Sequence, residues 1–498
     1  MLPEQNIPWP PAEWAEIMAA YREWAAWYSG DTTALAAVYG GSVTVSERPP
    51  WWRFWARHRN TRIEHTTRTQ LHIPLAADVA ATSAALLFGE AATITIPEAH
   101  EETASADAMK AEERFMQIID EGDVEQRLTE AAEIAAALGG VYLKVDWDEA
   151  AASVPLLSIV HPDMALPEFR LGRLMAVTLW RVVEIDGNTW FRHIERHETG
   201  DDGRGLILHA LYEGLEDNIG VQVPLETLPE TAGLDEVVQL PFPGIGIRYI
   251  PNRRPNQRFR GSDLGQSDYS GAEGMMDALD ETWTSWMRDI RLGKARLLVP
   301  DTYLERQGEA GFVFDMDQEV FTTLDMAPGT EAGITDVQFA IRVEEHERTA
   351  NALIERVVSH AGYSPQTFGL DTDGRAESGT ALRIRERKTL MTQQHKRRSW
   401  ESVLADLFEN MLWVDREIFR SGITVFRPTI AMADSLTPDE LEVAQSIALI
   451  ANAGAASTEV LVRKVNPEWD DARVMAEVAL IREERGLTLP DPMQVGVA

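Results

Sequence analysis

Gly362-Tyr-Ser-Pro-Gln-Thr-Phe-Gly-Leu-Asp-Thr-Asp-Gly-Arg-Ala-Glu-Ser378 carries three glycines, a proline and no apolar period, yet it stands between two segments with clear helical patterning. A structureless run longer than about 12 to 15 residues inside a compact chain is usually functional or disordered. Its flanks narrow the choice of fold. Upstream, Met275, Met276, Leu279, Trp283, Trp286, Met287 and Ile290 recur by threes and fours. That spacing predicts a helix from Gln266 to Leu292, roughly 40 Å long. A second helix, from about Phe339 to Ala361, repeats the stripe with Leu353, Ile354, Val357 and Val358 and is expected to return antiparallel. Between them, Lys294 to Asp336 is broken by Pro300, Gly308, Gly311, Pro328 and Gly329, and it alternates apolar and acidic residues in Phe312-Val-Phe-Asp-Met-Asp317. Short strands and turns fit that pattern. Downstream, Arg383-Ile-Arg-Glu-Arg-Lys-Thr-Leu-Met-Thr-Gln-Gln-His-Lys-Arg-Arg398 sets seven Lys and Arg against one acid, then turns amphipathic through Leu404, Leu407, Phe408, Met411 and Leu412. The predicted order is a two-helix stalk with a small tip, a loop, and one very long basic helix.

The remainder predicts an α+β fold. Pro11 to Tyr28 reads as a helix with Trp14, Ile17, Met18, Tyr21, Trp24 and Tyr28 on one broad face, expected to pack within the chain. Trp51-Trp-Arg-Phe-Trp-Ala-Arg-His-Arg59 interleaves aromatics with arginine, which suits base stacking or an aromatic packing surface with snorkelling arginines. Leu75 to Leu87 and Ala106 to Leu138 read as helices. The period then changes to two. Val141, Leu143, Val145 and Trp147 alternate with Tyr142, Lys144 and Asp146, predicting a half-buried strand. Further strands are expected at Leu156 to Val160, Met175 to Ile185, Thr189 to Glu198 and Leu206 to Tyr212, with Asp186-Gly187-Asn188 as a hairpin turn. Near the C-terminus, Thr437-Pro-Asp-Glu440 is a capping box launching Leu441 to Asn452, stopped by Gly454. Asn466-Pro467 is expected to cap a further helix through Val474, Met475, Val478 and Ile481, ended by Gly486.

A chain of 498 residues suggests several structural regions. With no cysteine, a disulfide framework and thiolate metal sites are excluded. The start, Met1-Leu-Pro-Glu-Gln, lacks the basic and apolar regions of a signal peptide, so none is expected. No run of about 18 apolar residues suggests a membrane span, and no membrane partner is expected. The net charge of −34 argues against a protein whose main task is to hold DNA by counterion release. Simple solubility of a large acidic protein is the plainer reading, and a conduit that must let DNA slide is also compatible with it.

No Gly-x4-Gly-Lys-Ser/Thr phosphate loop is present, so ATP hydrolysis by the chain is not expected. His193-Ile-Glu-Arg-His197 places two histidines on one strand face with Glu195, without an evident further ligand nearby in sequence, and surface histidines are the expectation. Asp315-Met-Asp317 and Asp371-Thr-Asp373 resemble fragments of carboxylate metal sites but lack the remaining ligands, leaving solvated turn acids. Neither a nucleophile elbow nor a His-Glu-x-x-His pattern occurs. No catalytic residue, metal or cofactor is therefore expected.

The order of elements resembles the portal proteins of tailed bacteriophages, the Gp6-like branch found in siphoviruses, over most of the chain. The phrases that carry the resemblance are Ala77-Asp-Val-Ala-Ala-Thr-Ser-Ala-Ala-Leu-Leu-Phe-Gly-Glu90, Gly140-Val-Tyr-Leu-Lys-Val-Asp-Trp147, Gly261-Ser-Asp-Leu-Gly265, Gly362-Tyr-Ser-Pro-Gln-Thr-Phe-Gly369 and Thr380-Ala-Leu-Arg-Ile-Arg-Glu-Arg-Lys-Thr-Leu390. The resemblance implies a portal fold: a mixed α/β wing at 1–264, stem helices at 265–292 and 338–361, and a small α/β clip at 293–337. It further implies a tunnel loop at 362–378, a long channel helix returning to the wing at 379–434, and a helical crown at 435–498. Asp371, Asp373, Arg375 and Glu377 become candidates for the DNA channel. Arg383, Arg385, Arg387, Lys388, Lys396, Arg397 and Arg398 become candidates for subunit interface or channel helix, with pairing to carboxylates of neighbouring subunits favoured over phosphate contact. The implied partners are further copies of the chain in a ring of about twelve, double-stranded DNA, the terminase large subunit, a head-tail adaptor, and the major capsid and scaffolding proteins. The implied location is the portal vertex of the virion, after assembly in the host cytoplasm. The rival readings are a metal-dependent nuclease or hydrolase built on the Asp-x-Asp and His-x3-His fragments, and a monomeric head protein that binds DNA through the basic helix.

Overall fold

The computed structural model describes residues 2–39, 71–100, 105–292, 296–298, 305–306, 312–313, 335–337, 341–370, 379–432, 440–466, 469 and 471–484. The chain divides into two units. One is Met1–Thr372 with Lys388–Ala433, and the other is Asp373–Arg387 with Asp434–Ala498.

In the first unit, helix α1 (Ala15–Ser29) buries Tyr21, Trp24 and Trp27 inside the chain. Gly30 ends it in a left-handed conformation. A short helix, α2 (Thr32–Tyr39), follows, and α3 (Leu75–Phe88) opens the next described stretch. The predicted helix over 106–138 is two helices, α4 (Ala106–Glu121) and α5 (Val124–Leu138). Ser105 starts the first by accepting a hydrogen bond from the Ala108 amide. The break falls at Gly122 and Asp123, whose φ of 50° interrupts the helical run.

Two antiparallel sheets follow. Strand β2 (Gly140–Asp146) is the centre of a three-stranded sheet, between β3 (Leu156–Val160) and β10 (Ile247–Pro251). It is buried on both faces, not one. Val141, Leu143 and Val145 join the helical core, whereas Tyr142 packs with Val177, Leu179 and Tyr249 toward the second sheet. The two faces of the strand therefore meet two different buried environments, the helical core on one side and the second sheet on the other. The second sheet contains β4 (Ala165–Arg170), β5 (Arg173–Asp186), β6 (Thr189–Thr199), β7 (Arg204–Leu215) and β8 (Asn218–Val223) in that order. Strand β9 (Val237–Pro243) adds to the same edge of β7 as β8, further toward its start. The turn predicted at Asp186-Gly187-Asn188 is a two-residue loop, with Asp186 paired to Thr189 and Gly187 at φ 61°.

Helix α6 (Glu273–Leu292) begins later than its periodicity suggested. The preceding residues 266–272 form a buried, hydrogen-bonded lead-in instead. Four short strands, β11 (Arg296–Leu298), β12 (Glu305–Arg306), β13 (Phe312–Val313) and β14 (Thr335–Val337), pair β11 with β14 and β12 with β13, both antiparallel. Helix α7 (Val343–Ala361) lies beside α6, where Asp289 bonds Arg342 and His346 at 2.9 and 3.0 Å. Helix α8 (Gly379–Glu417) is 39 residues long, about 58 Å by helical rise. Its later half enters the core, with Trp400 edge-on to Phe88 and Phe408 edge-on to Phe115 of α4. Strand β15 (Thr429–Ala431) then pairs with β1 (Thr93–Thr95).

The second unit contains α9 (Glu440–Asn452), α10 (Thr458–Val465) and α11 (Asp471–Glu484), with Val462, Val474 and Val478 forming a small core beside Trp469 and Ile481. The sequence reading missed α10. Ser457 caps its start, and Asn466, expected to open the following helix, closes this one. No helix among the described residues is long and apolar enough to cross a membrane.

Candidate functional site

The junction where α6, α7 and α8 meet is built on a short lead-in that sequence periodicity could not describe. The run beginning at Gly362 was expected to be structureless. Its described part, through Leu370, is an ordered connection containing a 3-10 turn at Pro365–Phe368. Gly362, at φ 100°, ends α7, and a Cβ there would meet Thr392 Oγ1 at 2.8 Å, so both conformation and space require glycine. Arg253 donates to the His360 and Ala361 carbonyls, placing a cation on the helix C-terminus. Thr392 donates to the Gly362 carbonyl at 2.6 Å, and Thr389 Oγ1 accepts from the Ser364 amide at 2.9 Å. Asp371, Asp373, Arg375 and Glu377 lie outside the described residues.

Lys396 corrects the list of interface and channel candidates. Its ammonium is buried and donates to Asp268 Oδ2 at 2.6 Å, Ser83 Oγ at 2.7 Å and Tyr363 OH at 2.9 Å. Asp268 also accepts from Tyr363 OH at 2.8 Å and from Asn252 Nδ2 at 2.8 Å. Four segments are thus joined through one carboxylate, and Ser83 of α3 is added through Lys396. Burial lowers the Lys396 pKa from its ordinary value, and Asp268 opposes that shift. A lysine enclosed in this way is available neither to a neighbouring subunit nor to DNA.

The other candidates divide. The side chains of Arg383 and Arg385 lie outside the described set, although their backbone belongs to α8. Arg387 and Arg398 are exposed. Lys388 is exposed but donates to the Ser359 carbonyl, and half-buried Arg397 donates to the Met432 carbonyl.

A second polar cluster lies in a cleft of about 650 Å3 between the two sheets, lined in part by Trp147, Trp180, His193 and His209. His193 and His197 are buried, which overturns the expectation of surface histidines. His193 stacks on His209, their facing nitrogens 3.1 Å apart. His197 meets Glu195 Oε1 at 2.6 Å, and Lys144 donates to both oxygens of that carboxylate, at 2.7 Å to Oε1 and 2.9 Å to Oε2. Burial opposes charge on Glu195, yet Lys144 and His197 draw its pKa well below the usual carboxylate range. Burial pushes His193 down to about 4 and also lowers His209. No group of three or more potential metal-ligating side chains occurs among the described residues. Asp315 and Asp317 lie outside them.

Asp268, Tyr363, Ser83 and His209 escaped the sequence reading. One signal was available for Lys396. It is in phase with Thr389, Gln393, Trp400, Leu404, Leu407 and Met411, all buried, and so continues the apolar stripe of α8 into the basic run.

The α+β fold and this junction describe a scaffold of packed helices and sheets. The chain belongs to the phage portal protein family, SPP1 Gp6-like, whose family model matches residues 11–487. This is a family of structural, not enzymatic, proteins. Among solved structures, a chain from the virion of a native gene transfer agent particle overlaps at a TM-score of 0.40 with 11% identity, covering 93% of this chain and 96% of that one. A chain from the neck of an empty gene transfer agent particle, computed with C6 symmetry, overlaps at a TM-score of 0.38 with 12% identity, covering 93% of this chain and 95% of that one. These overlaps are too loose to transfer an arrangement of residues. No curated protein sequence matches the chain.

Proposed function

We propose that the chain is the portal subunit of a tailed-phage particle, closing into a ring of about twelve copies at one capsid vertex. The ring serves as the conduit for DNA packaging and ejection. The observation that carries this reading is the family match over residues 11–487, which spans the helix pair α6 and α7, the connection to α8, and α8 itself. Within the ring, 265–292 and 338–361 form the stem and 293–337 the clip that docks the terminase motor and later the head-tail adaptor. Residues 1–264 and 379–434 build the wing, and 435–498 the crown.

Physical features support that assignment. Met276 and Leu279 of α6 are buried, Trp283 and Trp286 are half-buried, and Ile290 is exposed. Apolar surface thus grows along the helix away from its base, where a head-to-tail neighbour would cover it. Exposed Arg387 and Arg398 suit pairing with neighbours in an assembly whose subunits each carry −34. The run at 371–378 carries Asp371, Asp373 and Glu377 against Arg375. As the tunnel loop it would keep phosphate contacts brief. A gold-labelled tag on the chain, imaged in assembled particles, should mark one vertex per particle. Label on every vertex, or none in the particle, would contradict the proposal.

A further inference from the structure

The enclosed cluster at Lys396 has no role in a scaffold held together by apolar packing alone. A buried ion pair recovers its desolvation cost only with close geometry and full hydrogen bonding, and apolar replacement of such pairs is often neutral or stabilising. Here the geometry is close to complete. The Lys396 ammonium has three acceptors, Asp268 Oδ2 receives both Lys396 and Tyr363, and Asp268 Oδ1 receives Asn252. Side-chain exposure is 3% for Lys396 and 0% for Asp268.

The position of the cluster matters as much as its chemistry. Asp268 lies five residues before α6, Tyr363 two residues after α7, and Lys396 within α8. Ser83 of α3 supplies the acceptor that ties the group to the helical core. Apolar contacts between helices tolerate sliding and rotation at modest cost, whereas this set of directed bonds is satisfied in a single register. Thr389, Thr392 and Lys396 lie on one side of α8 at spacings of three and four, and each bonds the chain between Gly362 and Ser364.

We infer that Lys396, Asp268 and Tyr363 form a positioning cluster that fixes the register of α8 against the base of the α6–α7 pair. Residues 371–378 lie in sequence between Leu370 and α8, and on the portal reading they are the tunnel loop. The consequence for the DNA path rests on the portal reading, but the register itself does not.

The absence of cysteine permits a direct test. Arg348 on α7, 83% exposed, and exposed Gln394 on α8 are each replaced by cysteine and spin-labelled. Labelled chains are diluted into unlabelled full-length protein, and the distance distribution is read by pulsed dipolar spectroscopy. The parent should give one narrow distribution. Lys396→Met with Asp268→Leu should retain or raise the melting temperature, yet at least double the width of the distribution or add a second peak. Rings that fail to form would count against the portal reading and leave this measurement intact. If the double variant does not fold, Tyr363→Phe with Ser83→Ala removes only two hydroxyls and should still broaden the distribution. A narrow, unshifted distribution in a folded variant overturns the inference.

Discussion

Arg114 on α4 grips Asp415 on α8 across 301 residues of sequence, its Nη2 2.7 Å and its Nε 3.2 Å from Asp415 Oδ1, and the carboxylate is fully closed to water. The guanidinium also donates to the Ser153 carbonyl at 3.1 Å. Replacing Arg114 by alanine leaves a buried carboxylate without its counter-charge. Removing one member of such a pair typically costs about 3–5 kcal/mol. Arg114→Ala should therefore lower stability by that order in chemical denaturation, while Arg114→Ala with Asp415→Leu should recover much of the loss.

Two glycines should respond oppositely to the same substitution. A Cβ on Gly265 would meet the Gly139 carbonyl oxygen at 2.1 Å and the Asn252 amide nitrogen at 2.8 Å, backbone against backbone. Gly265→Ala should destabilise by more than about 3 kcal/mol, in the upper tail for single substitutions. Gly274, in the first turn of α6, has open space around it. Gly274→Ala should stabilise by about 0.4–1 kcal/mol. Thermal melts of the two variants measure both signs.

The His193–His209 pair predicts acid sensitivity. His193 has an ordinary value of 6.5 and a folded value of about 4, lowered chiefly by burial. Between these values the unfolded chain binds the extra proton and the folded chain does not. Stability therefore rises with pH across that window and falls on acidification, by on the order of 3 kcal/mol for the full shift. Glu195 acts in the same direction at lower pH, because its depressed carboxylate contributes stability that is lost as pH falls through the folded value. His193→Gln should flatten the slope of unfolding free energy between about pH 4 and 6.5. An unchanged slope would assign the acid sensitivity elsewhere.

Repeating patterns carried most of the legible fold. The stripe from Met275 to Ile290 foretold α6, and the two-residue turn at Gly187 and Asn188 foretold the β5–β6 hairpin. What stayed hidden was set by tertiary geometry. Residues 266–272 were expected to be the start of that helix but are held in a turned lead-in by Asn252 and the backbone of Ala136, with Asn256 holding the Gly265 carbonyl just before them. Gly362 to Leu370 has no period because its order comes from Thr389, Thr392 and Lys396 on another helix. Lys396 itself looked like one more base in a basic run. Only its phase with Trp400 and Leu404 distinguishes it from exposed Arg398.

If 371–378 faces DNA, its charge governs how long phosphates linger. Replacing Asp371, Asp373 and Glu377 together by lysine should leave assembly intact, since the run lies outside the proposed stem and arginine interfaces. Packaging should slow as DNA sticks, and the defect should weaken with rising salt through screening and counterion release. Wild-type packaging rates at low and moderate salt would remove this run from the channel.

The central claim is that these features belong to one subunit of a closed portal ring. Negative-stain electron microscopy of the purified chain at micromolar concentration tests it most directly. The account predicts closed rings of many subunits with an axial hole, supported by a sedimentation boundary of matching size. A population that is strictly monomeric, by both imaging and sedimentation, would contradict it.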